Sequence, residues 1–194
     1  MSYIKKIEYE IVLKDSFLVS RRCPKCGRRT YFKNTGKFRV NANGNKLDVW
    51  LIYQCEECKH TLNLAIYERQ KVSSIPKEEY LSFLENNEQL AERYGKNPQL
   101  FLKNKAEVDF DRIKYEFVKR QEIVESSDTG DQLVFAINNP HQLKIRAEKQ
   151  VAEILGLSRS QVKSLLERED IKLEIRQPHF ISVRINTGLL HLDD

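Results

Sequence analysis

Four cysteines stand in two pairs, Cys23-Pro24-Lys25-Cys26 and Cys55-Glu56-Glu57-Cys58, with 28 residues between the pairs and no cysteine left over. Two thiols three positions apart have two chemistries: they ligate a soft metal ion together, or they cycle as a redox couple. A redox dithiol accounts for one pair at a time, and neither pair lies in a strand–helix–strand pattern of the thioredoxin kind. A hairpin between the pairs would bring the second turn back to the first and complete a tetrahedron of four sulfurs, the set Zn²⁺ prefers. The spacing therefore predicts one structural zinc ion on Cys23, Cys26, Cys55 and Cys58. Four thiolates close the coordination sphere and leave no position for substrate or water. Gly27 lets backbone N–H groups turn toward sulfur. His60 is the alternative fourth ligand, although its place suits the following strand or an outer hydrogen bond.

Arg21, Arg22, Arg28 and Arg29 close in the first pair. Residues 20–60 hold ten Lys/Arg against three acids, a net +7 in a chain whose total is +5. Four thiolates and a divalent ion reduce that excess to +5. Residues 61–142 carry −3 and residues 143–177 carry +2. A local basic patch is the footprint of a polyanionic partner, and its bland alternative is a solvated face. No apolar run approaches the roughly 20 residues of a membrane span. The opening MSYIKKIEYEIVLKD lacks the apolar block of a signal peptide. Both observations predict a cytoplasmic protein, where paired thiols stay reduced.

The elements that must position these groups follow from periodicity. Ile7, Tyr9, Ile11 and Leu13 alternate, which predicts a strand. KFRVNANGNKLDVWLIY reads as a hairpin turning at Asn43-Gly44, with Leu47, Val49, Leu51 and Tyr53 alternating after it. TLNLAIYER continues as a strand, completing the arrangement of a zinc ribbon. A segment this polar holds little core, so the metal should contribute folding energy. From Ser74 the pattern turns helical, with a serine cap, Pro76 in the first turn and Glu78 and Glu79 near the start. A second helix is predicted over Glu88–Tyr94, stopped by Gly95 and Pro98. RIKYEFVKRQEIV and QLVFAI read as strands around the turn SSDTGD. KIRAEKQVAEILGLSRSQVKSLLERED is helical and broken at Gly156, and IKLEIRQPHFISVRI closes as two short strands. The expected fold is α+β: an N-terminal β-rich zinc ribbon (1–72), a helical connector (73–107), and strands with a helix pair and small β-hairpin (108–194).

Two resemblances add to this. RRCPKCG, TGKFRVNANGNKLDVWLIYQCEEC and LNLAIYERQKV resemble the bacterial family of domain of unknown function 1062. That likeness implies a zinc-ribbon protein and no particular activity. Arg146-Ala147-Glu148-Lys149, Leu157-Ser158-Arg159, Lys163, Leu166 and Ile171 resemble in order the alpha-L RNA-binding motif of small-subunit ribosomal protein four. Glu148 stands where Asp is common, and Glu169-Asp170 replace the usual Gly and turn. The resemblance implies that Arg146, Arg159, Lys163 and Arg168 contact phosphates or stack on bases. A DNA helix-turn-helix with Ser158–Arg168 as recognition helix, and a plain packed hairpin, are the competing readings.

Catalytic constellations are not legible. Gly36-Lys37 is no phosphate loop, because Tyr31 and Phe38 occupy the positions of its first Gly and its Ser/Thr. His141, His179 and His191 are scattered, and the carboxylates of the middle segment read as solvated faces. Trp50, Tyr53 and Phe38 would stack on bases if exposed, or pack in the core if not. The expectation is a non-enzymatic zinc-ribbon protein that binds nucleic acid, RNA before DNA. Arg21, Arg22, Arg28, Arg29, Arg146, Arg159, Lys163 and Arg168 are its candidate contacts. The alternatives are a DNA-binding regulator, a protein-interaction scaffold, or an enzyme whose zinc is structural.

Overall fold

The computed structural model describes residues 2–128, 131–177 and 179–186. Alternating apolar side chains make Ser2–Leu13 a strand (β1), with Ile7 and Ile11 buried. Four strands follow: β2 (Val19–Arg22), β3 (Arg29–Asn43), β4 (Lys46–Cys55) and β5 (Thr61–Lys71). Then come three short helices, α1 (Lys77–Leu84), α2 (Glu88–Gly95) and α3 (Pro98–Lys103). The chain continues through β6 (Tyr115–Ser127), β7 (Gln132–Asn138), α4 (Ala147–Leu155), α5 (Arg159–Glu167), β8 (Ile171–Gln177) and β9 (Phe180–Asn186). This is the expected α+β class, with a C-terminal helix pair followed by a hairpin. Thr129 and Gly130 of the expected SSDTGD turn, and His191, lie outside the described residues.

The chain groups into two compact units, Leu13–Lys114, and the stretch up to Val12 with everything from Tyr115 onward. This differs from three consecutive segments at 1–72, 73–107 and 108–194. β1 pairs in parallel with β7, Ile7 opposite Phe135 and Tyr9 opposite Ile137. It therefore belongs with the C-terminal strands and not with the cysteine segment. Helices α1, α2 and α3 pack on β3 and β5, so they are part of the cysteine unit and not a connector.

The unit built from both chain ends is a five-stranded sheet in the order β6-β1-β7-β9-β8. Leu133, Ile185 and Ile171 form one cross-strand row, and Phe135, Val183 and Leu173 the next. Val151, Ala152, Val162 and Leu165 bury the inner stripe of α4 and α5. Gly156 ends α4, where the sequence predicts the break, and Ser158 opens α5 with a capping box to Gln161.

In the cysteine unit β2-β3-β4-β5 form a meander. Along β4, Leu47, Val49, Leu51, Tyr53 and Cys55 point inward and are fully buried, while Asp48, Trp50, Ile52 and Gln54 point outward and are half-buried. Edge-to-face aromatic pairs tie the inner face to its cover: Phe38–Phe83 at 4.9 Å, Phe17–Phe101 at 5.2 Å and Tyr53–Phe101 at 6.0 Å. The segment expected to be poor in core thus supplies Phe32, Phe38, Leu47, Val49, Leu51 and Tyr53 to one. Asn43 and Lys46 face each other across a two-residue loop, Gly44–Asn45, with Gly44 at φ +60. The turn is one residue later than Asn43-Gly44.

Segment 104–109 closes the two outer edges of this sheet. Ser20 N–H donates to the Glu107 carbonyl (2.8 Å) and Asp109 N–H to the Leu18 carbonyl (3.1 Å) along β2. On β5 the Asn104 side chain accepts from Ala65 N–H (2.7 Å) and donates to the Ala65 carbonyl (3.0 Å), replacing a missing strand partner.

Three local expectations change. Pro76 occupies the N-cap of α1, and Ser74 donates to the Lys71 carbonyl instead of capping the helix. Pro98 opens α3 behind an Asn97 cap, where the sequence reading has only a stop. Glu79 is no solvated carboxylate: its side chain is 16% exposed and accepts from the hydroxyls of Tyr94 (2.6 Å) and Tyr67 (3.0 Å). Burial, and then the Glu79 carboxylate, push the Tyr94 phenol well above its ordinary range.

Candidate metal centre and basic surface

The first cysteine pair lies on the turn from β2 to β3 and the second on the turn from β4 to β5. In a meander those two turns fall at the same end of the sheet. Phe32 of β3 pairs with Cys55 at the end of β4, which places one turn beside the other. The four sulfurs all lie within 4.8 Å of one another. Cys23 Sγ is 3.5 Å from Cys58 Sγ, and Cys26 Sγ is 3.9 Å from Cys55 Sγ. A tetrahedron of sulfurs ~2.3 Å from a central ion has edges of about 3.8 Å. The donor set and its spacing therefore fit a metal ion. Cys23 and Cys55 are buried, and Cys26 and Cys58 are half-buried.

The two turns repeat one hydrogen-bond pattern. The Cys23 carbonyl accepts from Gly27 N–H (2.9 Å) and Cys23 N–H donates to the Arg28 carbonyl (2.9 Å). The Cys55 carbonyl accepts from Lys59 N–H (3.1 Å) and Cys55 N–H donates to the His60 carbonyl (2.9 Å). The residue closing each turn is left-handed, Gly27 at φ +69 and Lys59 at φ +61. Glycine adopts that conformation freely; a residue with a Cβ is strained there by about 1–2 kcal/mol. Lys59→Gly should accordingly stabilise the metal-loaded protein by up to about 1 kcal/mol, after the entropy glycine adds to the unfolded chain, and so raise its melting temperature. A thermal melt checks this, and an unchanged or lowered midpoint would show that the second turn is not strained.

His60 contributes only that main-chain carbonyl; its side chain is exposed and outside the sulfur cluster. Burial disfavours the Cys55 thiolate. Hydrogen bonds from Cys58 N–H, from Thr30 Oγ1 at 3.3 Å and from Glu57 N–H outweigh it and lower the thiol to about 6. The adjacent Cys58 sulfur, followed by burial, pushes the Cys26 thiol up.

The arginines around the first pair are all exposed, but they do not form one free cluster. Arg22 and Arg29 are cross-strand partners, while Arg21 is opposite buried Thr30 on the other side of the ribbon. Arg28 is bound to Glu57 of the second turn (2.8 Å), and both terminal nitrogens of Arg29 donate to Glu107 (2.9 and 3.0 Å). Arg21 and Arg22 have no ion pair among the described residues. In the other unit Arg146, Arg159, Lys163 and Arg168 are exposed. Lys163 faces Glu167 at 3.8 Å and Arg168 is bound to Asp170 at 2.9 Å, so the helix pair offers Arg146 and Arg159.

A second basic set assembles where the sequence reading did not look. Lys33, Lys37, Arg39 and Lys59 gather with Trp50 and Gln54 on the outward side of β3 and β4. The signal was present in the period-two pattern, since residues alternating with a core row must share the opposite side. Phe38 and Tyr53, grouped with Trp50 as possible stacking residues, are instead buried.

The fold and site define an α+β protein whose meander sheet carries a four-cysteine centre able to hold a metal ion. The chain belongs to the family described as protein of unknown function (DUF1062), which it matches over residues 40–177. No curated protein and no solved structure matches it. Among the described residues no helix is long and apolar enough to cross a membrane.

Proposed function

We propose that this is a non-enzymatic zinc-ribbon protein that binds RNA. The four cysteines would hold one structural Zn²⁺, with the thiolates completing its coordination and leaving no reactive position. The observation that carries the RNA reading is charge: residues 20–60 hold a net +7, which is still +5 with four thiolates and a divalent ion counted. A solvent-facing excess of this kind attracts phosphates. The alpha-L-like helix pair, through Arg146 and Arg159, would supply a second contact.

Two measurements test this. Metal analysis of the purified chain should find one zinc per molecule, and a ratio far from one overturns the ribbon assignment. With about four phosphates engaged, affinity for single-stranded RNA should fall about 50-fold between about 50 and 200 mM salt. Filter binding that is undetectable at micromolar protein, or insensitive to salt, overturns the RNA reading.

A further inference from the structure

We propose that the outward side of the four-stranded sheet binds single-stranded RNA. One base stacks on the Trp50 indole, and its flanking phosphates are held by Lys37 and Arg39. This rests on the RNA-binding reading above and assigns it a surface and a form of RNA.

Trp50, Ile52 and Gln54 are successive outward residues on β4, spaced about 7 Å apart. Arg39 pairs with Trp50 on one side, and its guanidinium stands 5.9 Å from the ring centroid, at the outer limit of a cation–π contact. On the other side the partner is Ala65, too small to cover an indole. Two extra residues in β3 between Asn34 and Phe38 interrupt the pairing and put Lys37 beside the groove. That groove, of about 600 Å³, is lined by Lys33, Thr35, Lys37, Ile52, Gln54 and Lys59, with Asn34 and Glu56 completing it. Its one acid, Glu56, is neutralised by Lys33 at 2.6 Å. Lys37 has no ion pair among the described residues.

The chemistry selects the ligand. An aromatic face accepts any base, but only a base that is already unstacked, which a duplex does not offer. Cations beside the ring match the phosphates on either side of such a base. The amides of Gln54 and of Asn63, which faces Ile52 from β5, donate and accept, as a ribose 2′-hydroxyl requires. Arg28 and Arg29 are already occupied by carboxylates and make a poorer platform.

Trp50 is the chain's single tryptophan, so its emission reports this surface alone. Titrating the full metal-loaded chain with unlabelled oligouridylate should quench that emission to saturation. The quenching curve should follow the binding curve from anisotropy of a fluorescein-labelled copy. Trp50→Ala should weaken binding about tenfold and Trp50→Phe much less, since a smaller ring still stacks. Lys37→Ala should reduce the salt slope by about 0.7. Circular dichroism melts of each variant confirm folding. Anisotropy showing tight binding with unchanged Trp50 emission overturns the surface while RNA binding stands. So does loss of binding in Arg21→Ala/Arg22→Ala when Trp50→Ala retains it. Equal binding of the matching oligodeoxyuridylate overturns the 2′-hydroxyl assignment. Absence of any binding overturns both this proposal and the RNA reading.

Discussion

Removing the metal from the four-cysteine centre is expected to abolish most of the stability of residues 13–114. A strong chelator, or Cys55→Ser in place of the chelator, should eliminate the cooperative melt of that unit and shift Trp50 emission to the red. Cys23 and Cys55 are buried, and four sulfurs within 4.8 Å of one another cannot all carry charge without a cation between them. Without an ion the cluster must hold protons on its thiols or separate the turns. Separating them frees the ends of four strands at once. Structural zinc sites contribute about 10–16 kcal/mol in small domains, whereas a whole domain is stable by about 5–15 kcal/mol. The aromatic core of this unit retains some structure, so residual secondary structure by circular dichroism is expected after chelation. Cys55→Ser removes a buried sulfur that also contacts the Thr30 hydroxyl at 3.3 Å, and the shorter, harder oxygen cannot replace it toward a soft ion. A melt that chelation and Cys55→Ser both leave in place would show that the sulfurs cluster without an ion.

The second large effect is expected at Gly95, the last residue of α2. A Cβ built there would lie 2.6 Å from Asn34 Nδ2 and 2.7 Å from Ser16 Cβ, and closer still to the Ser16 hydroxyl. None of these neighbours has room to withdraw. Asn34 Nδ2 donates to Ser16 Oγ (3.0 Å) and to the Ala91 carbonyl (2.9 Å), and the Gly95 carbonyl accepts from Phe17 N–H (2.9 Å). This knot joins β3, α2 and the stretch after β1. Gly95→Ala should therefore cost about 3 kcal/mol, a fall of roughly 10–15 °C in melting temperature for a unit of this size. Adding Ser16→Gly should restore part of the loss, because it removes two of the three contacts. A Gly95→Ala chain that melts with the wild type would mean that α2 shifts at no cost.

The cysteine centre was legible because its signal is local. Spacing within each pair makes a turn, and the glycine at position 44 between them makes a hairpin, so both follow from a few neighbouring residues. The stop at Gly156 was legible for the same reason. Glu79 was not, since its two tyrosine partners come from β5 and α2 and nothing in its own helix marks it as buried. The arginines misled for a related reason. Four arginines in nine residues look like one patch, yet strand alternation splits Arg21 from Arg22, and Glu57 and Glu107 reach Arg28 and Arg29 from distant positions.

By itself the amino-acid sequence determined most of the element types, the four cysteines of the candidate centre and the excess of positive charge, all properties of composition and short-range periodicity. Only the tertiary structure decided how the chain divides, because β1 presents one apolar side to any strand of matching pattern and its partner β7 enters more than a hundred residues later. It also decided which cations are available. Ion pairing depends on distances across strands, and those left Arg21, Arg22, Lys37 and Arg39 without a carboxylate partner among the described residues, two of them beside the half-exposed Trp50.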